Sequence, residues 1–160
     1  MKRIMLLLGV LVLGAIVAGQ LRAEDNPFLG TWKLNAAKSK AEGTTVPKSM
    51  TRTVTAAGDK VTYSLEGVGA DGSALKFSFT VVYDGKDYPV TGTGMPGGAD
   101  SISIKRLSTN KFAAVLKKGG KQIATSTAEA SKDGKTATIA AKGTSADGKP
   151  TTSTMVYDKQ

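Results

Sequence analysis

The sequence predicts an all-β fold, an antiparallel up-and-down β-barrel of about 8–10 strands. Three observations carry that expectation. Hairpin chemistry recurs at short intervals, in Ala57-Gly58-Asp59, Ala70-Asp71-Gly72, Asp84-Gly85-Lys86, Thr109-Asn110-Lys111, Gly119-Gly120, Asp133-Gly134 and Asp147-Gly148. Gly adopts the positive φ of tight turns freely, and Asp or Asn tolerates it better than most residues. The segments between these turns are rich in Thr, Val, Ile and aromatics, which is strand composition. Within each segment the apolar residues fall on one alternating phase, so the sheet has a dry face and a wet face.

The first element is set aside before the fold is considered. Lys2 and Arg3 form a basic start, residues 4–18 are an almost unbroken apolar run, and Leu21-Arg22-Ala23 precedes the acidic Glu24-Asp25. This is the pattern of a secretory signal peptide over residues 1–23, with cleavage after Ala23 or, alternatively, after Gly19. A bilayer-spanning helix needs roughly 20 apolar residues, so no stable membrane insertion is expected after cleavage. The chain has no Cys, which leaves no site for lipid attachment beside the apolar run and no disulfide in the exported domain. Residues 24–160 then make one domain with one core.

The strands follow in order, at roughly 29–35, 47–56, 60–68, 74–83, 87–92, 100–107, 111–117, 121–130, 135–143 and 150–158. In the first, Phe28, Gly30, Trp32 and Leu34 share a phase against Thr31, Lys33 and Asn35. Met50, Arg52 and Val54 oppose Thr51, Thr53 and Thr55, while Val61, Tyr63 and Leu65 oppose Thr62, Ser64 and Glu66. Leu75, Phe77, Phe79, Val81 and Tyr83 oppose Lys76, Ser78 and Thr80, and Ile102, Ile104 and Arg106 oppose Ser101, Ser103 and Lys105. Residues 36–46 leave room for a turn of helix. Gly92-Thr93-Gly94-Met95-Pro96-Gly97-Gly98 reads as a loop or flap at a barrel mouth, since no Lys-Ser/Thr follows to make it a phosphate loop. Connections this short favour antiparallel neighbours in chain order, and such a meander buries its one apolar face by closing on itself. A two-sheet sandwich is the competing arrangement.

Charge and composition exclude several functions. The formal charge is +9, of which Lys2, Arg3 and Arg22 lie in the leader; the remaining lysines are scattered singly rather than gathered with aromatics. That is a solvated surface and not a nucleic-acid footprint. The chain has no His and no Cys, which removes the commonest general base, thiol nucleophiles and most transition-metal sites. Asp71, Asp84, Asp133 and Asp147 each precede Gly and read as turn formers. No catalytic residue, metal site or cofactor is expected.

The late strands supply small inward residues: Ala124, Ala128, Ala137, Ala141, Thr151 and Ser153, with Ile123, Ile139, Met155 and Tyr157 as larger companions. A barrel lined on one side by small groups has room for a cavity; flattening until the walls touch is the alternative.

With its opening Asn26-Pro-Phe-Leu-Gly-Thr-Trp-Lys-Leu-Asn35, its central Tyr83-Asp84-Gly85-Lys86-Asp87-Tyr88-Pro89-Val90 and its ending on Asp147-Gly148-Lys149-Pro150 to Tyr157-Asp158, the chain resembles the small bacterial secreted lipocalin-like proteins of the calycin superfamily. The resemblance runs over the whole mature chain, with Gly30 and Trp32 as its structural signature. It departs from the vertebrate type in having nearer ten strands, no Cys and no terminal helix. What the resemblance implies is a periplasmic or secreted monomer that binds a small hydrophobic or amphipathic molecule non-covalently. Tyr63, Phe77, Phe79, Val81 and Ile104 would line the pocket, and Arg52 or Arg106 would anchor a polar head. The alternative is an envelope protein-binding module, such as a protease inhibitor, on a filled barrel.

Arg52 and Arg106 are the only arginines after the leader, and both fall on the apolar phase of their strands. A guanidinium facing inward is costly unless it has partners. Three readings stay open: an anchor for the carboxylate or sulfate of a ligand, a cap stacked on Trp32 as in the calycin signature, or a register that puts the residue outside.

Overall fold

The structure is a computed structural model, and it describes residues 26–160. The leader expected over residues 1–23 lies outside the described residues. Eleven strands are present among the described residues: β1 (Gly30–Leu34), β2 (Lys40–Glu42), β3 (Ser49–Ala57), β4 (Lys60–Val68), β5 (Ala74–Val81), β6 (Tyr88–Thr93), β7 (Ser101–Arg106), β8 (Lys111–Lys118), β9 (Lys121–Ala130), β10 (Thr136–Thr144) and β11 (Pro150–Lys159). They form one antiparallel sheet in chain order apart from β2, closed into a barrel by direct pairing of β1 with β11. Ten of them make the ring, and closure rules out the sandwich. Each of the ten expected segments is a strand, with ends shifted by no more than two residues.

The departure is in residues 36–46. The expected turn of helix is a single 3₁₀ turn, Ala36–Lys38, and Lys40–Glu42 is a strand that sequence reasoning missed. β11 has ten residues but β1 covers only its carboxy-terminal part, pairing Trp32 with Lys159 and Leu34 with Tyr157. β2 covers the rest, pairing Lys40 with Thr154 and Glu42 with Thr152. Between them Ser39 Oγ accepts the Val156 N–H at 2.9 Å, and Asn35 N donates to the Val156 carbonyl at 2.8 Å. β1, the 3₁₀ turn and β2 therefore satisfy one long strand edge in turn, which meets the demand that buried backbone groups be paired.

The turns hold as read. Asp71 accepts the Ser73 N–H at 2.9 Å, Asp84 that of Lys86 at 2.9 Å, and Asp133 that of Lys135 at 3.1 Å, while Asp147 accepts the Ser145 hydroxyl. These bonds favour the ionised carboxylates and hold all four below the usual carboxylate range. Strand packing near the rim needs glycine at one further place. Gly92 has φ +97, and a Cβ there would sit 2.1 Å from the Lys76 carbonyl oxygen, so β6 lies against β5 closer than any side chain permits.

The wet face is tied by small cross-strand pairs, Thr62 with Thr80 at 2.8 Å and Ser78 with Thr91 at 3.1 Å. The dry face encloses the core. Its most deeply buried side chains, Trp32, Tyr63, Phe28, Val54, Val61 and Val81, lie toward one end of the barrel. That end receives the turns at 58–59, 82–87 and 132–135 and the segment 26–29; the other end receives the loops at 43–48, 69–73, 94–100 and 145–149.

Candidate ligand-binding site

One end of the barrel is closed by aromatic packing. Asn26 Oδ1 accepts the Phe28 N–H at 2.9 Å, and Leu29 N donates to the Asn26 carbonyl at 3.1 Å, so residues 26–29 form a tight turn beneath β1. That turn aims the Phe28 ring inward, where it packs edge-on to Phe112 with centroids 5.5 Å apart. Trp32 Nε1 donates to the Phe28 carbonyl at 2.7 Å, which satisfies the indole in a dry place. The cation stacked on Trp32 is Lys159, its Nζ 5.1 Å from the ring centroid. Gly30 makes room for that stem, because a Cβ at its φ of +109 would lie 3.3 Å from Lys159 Cε.

Above this plug the barrel is open inside. A cavity of about 480 Å³ runs from Phe28 to the loops around Thr44, Met95 and Ser145. β3, β4, β5 and β7 give it bulky walls, with Met50, Tyr63, Leu65, Phe77, Phe79, Ile102 and Ile104. β8 to β11 give it slim ones, with Ala114, Ala124, Ser126, Ala128, Ala141 and Ser153. The small inward residues read from the sequence account for the space. Met95, Pro96 and Gly97 reach over the mouth, and a Cβ on Gly97 would stand 2.8 Å from Ile123 Cδ1 across it.

The lining contains no Asp or Glu; its charged members are Arg52 inside and Lys142 on the exposed rim. Arg52 sits in mid-strand, paired with Trp32 on one side and Leu65 on the other, and is 9% exposed. Its guanidinium carbon lies 4.8 Å from the Tyr63 ring centroid and 5.8 Å from that of Phe28. Buried Nε has no hydrogen-bond partner, and no carboxylate faces it among the described residues. Such a group carries an unrecovered desolvation cost, only partly offset by the ring faces. Tyr157 lines the same cavity; burial pushes its phenol up while the nearby Arg52 charge opposes the shift. Asn26 Nδ2 donates to the Tyr83 hydroxyl at 2.5 Å, and the Tyr83 and Tyr63 hydroxyls are 2.6 Å apart.

Of the residues expected to line a pocket, Arg52, Tyr63, Phe77, Phe79 and Ile104 do so, and Val81 and Arg106 do not. Val81 is wholly buried below the cavity floor, opposite Val61. Arg106 ends β7, where Nε and Nη2 donate to the carbonyls of Ser108 and Thr109 at 3.2 and 3.1 Å and the guanidinium lies over Phe112 at 5.3 Å. Its strand-end position lets it bond its own turn, which mid-strand Arg52 cannot do. Of the three readings left open for the arginines, the cap stacked on Trp32 falls to Lys159 instead; one lysine among many scattered ones gave no sequence signal. Tyr83 was likewise missed as the partner of Tyr63, and Asn26 as that of Tyr83, because nothing local links residues 20 and 57 positions apart.

No family model matches the sequence, and no curated protein matches it. Among solved structures, the zebrafish ileal bile acid-binding protein complexed with cholic acid is similar with a TM-score of 0.52 at 13% identity, over 84% of this chain and 100% of that one. The siderocalin Ex-FABP, described as acting through dual ligand specificities, gives a TM-score of 0.38 at 14% identity, over 84% and 71% of the two chains. The first likeness shows the fold, a closed ten-strand antiparallel barrel.

Proposed function

We propose that this chain is a non-enzymatic binding protein for a small amphipathic acid, held non-covalently with its anionic head at Arg52 and its apolar body toward the mouth. The observation that carries this reading is Arg52, with its buried Nε unpaired and without an acidic partner among the described residues, facing an apolar cavity of about 480 Å³. That volume lies within the range of small-molecule sites, about 300–1,000 Å³. Burial of the ligand's hydrocarbon would supply affinity at roughly 25 cal/mol per Å², less the ordering costs of association. An anion would supply orientation by pairing with a cation whose desolvation is already complete. The zebrafish protein of the same fold was crystallised with cholic acid, which supports a ligand within the barrel.

The test is a titration with a fluorescent fatty-acid analogue bearing a free carboxylate, in parallel with its methyl ester. Saturable binding of both is expected, with the carboxylate tighter by about tenfold or more, the range of a charge-assisted hydrogen bond. Protein that takes up neither analogue would overturn the reading.

The setting we propose for this activity is outside the cytoplasm. The basic start and apolar run over residues 2–18, with Leu21-Arg22-Ala23 behind them, support export with removal of the leader. Amino-terminal sequencing of the protein from its own cells is expected to read Glu24-Asp25-Asn26, and an intact Met1 start on a cytoplasmic protein would count against export.

A further inference from the structure

The proposed binding mode leaves open which groups besides Arg52 would receive the head of the ligand, and the hydrogen-bond order at the closed end answers this. Asn26 Oδ1 is committed to the Phe28 N–H at 2.9 Å, which fixes the amide so that Nδ2, a donor, faces Tyr83 at 2.5 Å. The Tyr83 oxygen thus already accepts. Its own proton has one acceptor within reach, the Tyr63 oxygen at 2.6 Å. If Tyr63 donated instead, the Tyr83 oxygen would accept twice and its own proton would have no acceptor, on a residue outside the cavity lining, whereas Tyr63 lines the cavity and can turn its proton into it. The proton order is therefore Asn26 to Tyr83 to Tyr63. The Tyr83 phenol is pushed well above its ordinary range, by burial first and by Tyr63 second, in keeping with a hydroxyl that stays protonated and donates.

Tyr63 then accepts one bond, from Tyr83, and keeps a proton with no protein acceptor among the described residues. It is 2% exposed, lines the cavity, and carries the Arg52 guanidinium over its ring at 4.8 Å. We propose that the Tyr63 hydroxyl is a second head-group donor beside Arg52, and that Tyr83 and Asn26 are positioning residues that orient it. The ligand class narrows accordingly, to an amphiphile whose head offers two acceptor oxygens at once, a carboxylate, sulfonate or sulfate, rather than an alcohol, amine or ester. A donor head such as an ammonium is refused by the guanidinium and meets a phenol already turned outward as a donor. The polarised order also strengthens the terminal bond, since each hydroxyl that accepts becomes a better donor.

This inference rests on the proposed function and is tested so that the two can fail separately. The mature protein and its Tyr63→Phe and Tyr83→Phe variants are titrated with the carboxylate analogue and its methyl ester. Tyr63→Phe, which keeps the ring under Arg52, is expected to weaken the carboxylate by roughly tenfold and leave the ester within about twofold. Tyr83→Phe, which removes only the orienting bond, is expected to weaken the carboxylate by about threefold, again with the ester unmoved. Thermal melts of all three proteins establish that the variants are folded at the titration temperature. A wild-type preference for the carboxylate that survives unchanged in Tyr63→Phe overturns the second donor alone. Equal weakening of both analogues overturns it too, since that is the mark of a merely structural tyrosine. Wild-type protein that takes up neither analogue overturns the proposed function itself.

Discussion

Replacing Arg52 by methionine is expected to raise the melting temperature of the ligand-free protein and to cut affinity for the carboxylate analogue by roughly 30-fold or more. Both effects come from the same atoms. Arg52 is 9% exposed, its buried Nε has no partner, and the lining offers no Asp or Glu to balance the charge. Two ring faces, of Tyr63 and Phe28, return part of the desolvation cost, at about 0.5–2 kcal/mol each when desolvated. Exchange of buried ionic groups for apolar ones of similar volume is often stabilising by about 1–4 kcal/mol, and methionine adapts to irregular space. A gain of about 1–2 kcal/mol would lift the midpoint by roughly 3–10 °C in a domain of this size. Arg52→Lys should fall between the two in affinity, because an ammonium keeps the charge but loses the planar fork. A melting temperature that drops while carboxylate affinity holds would show that the cation is there for the fold.

Trp32→Ala is expected to be the most destabilising single change in the chain, by about 3–5 kcal/mol in urea unfolding. Trp32 is 1% exposed, wedged between Phe28 and the Lys159 stem, and its indole N–H occupies the Phe28 carbonyl at 2.7 Å. Truncation opens a cavity at the closed end and leaves that carbonyl without its donor. Against a total stability of roughly 5–15 kcal/mol, such a loss takes a large share. Residues 26–29 lose their tether as well, so the Asn26 amide no longer holds Tyr83, and the carboxylate preference should weaken in whatever fraction stays folded. Trp32→Phe keeps most of the packing and loses the hydrogen bond, at a cost of about 1–2 kcal/mol. A Trp32→Ala protein within about 1 kcal/mol of wild type would mean that the aromatic plug does not seal the core.

Much of this molecule is legible along the chain. Turn residues such as Asp133-Gly134 and Asp147-Gly148 mark where strands end, because only a few residue types accept the backbone of a tight turn. The alternation of Phe77 and Phe79 with Ser78 and Thr80 tells which side faces inward, because the pleat has a period of two. The slim residues of β9 to β11 even foretell a cavity. Lys40-Ala41-Glu42 shows the limit of such reading: it has little strand propensity, and it pairs only because the upper edge of β11 lies bare beside it.

Ten strands, their order and the dry face are therefore properties of the sequence, since each follows from interactions within or between neighbouring segments. Which arginine faces the cavity without a carboxylate partner, which cation covers Trp32, and which proton Tyr63 has to offer were decided by the tertiary structure. Arg52 and Arg106 have the same phase and differ in whether a turn carbonyl is within reach. Lys159 meets Trp32, and Asn26 meets Tyr83, only because closing the barrel brings β1, β11 and a mid-chain turn to one place. Contacts made across that closure have no period and no spacing, so no pattern along the chain announces them.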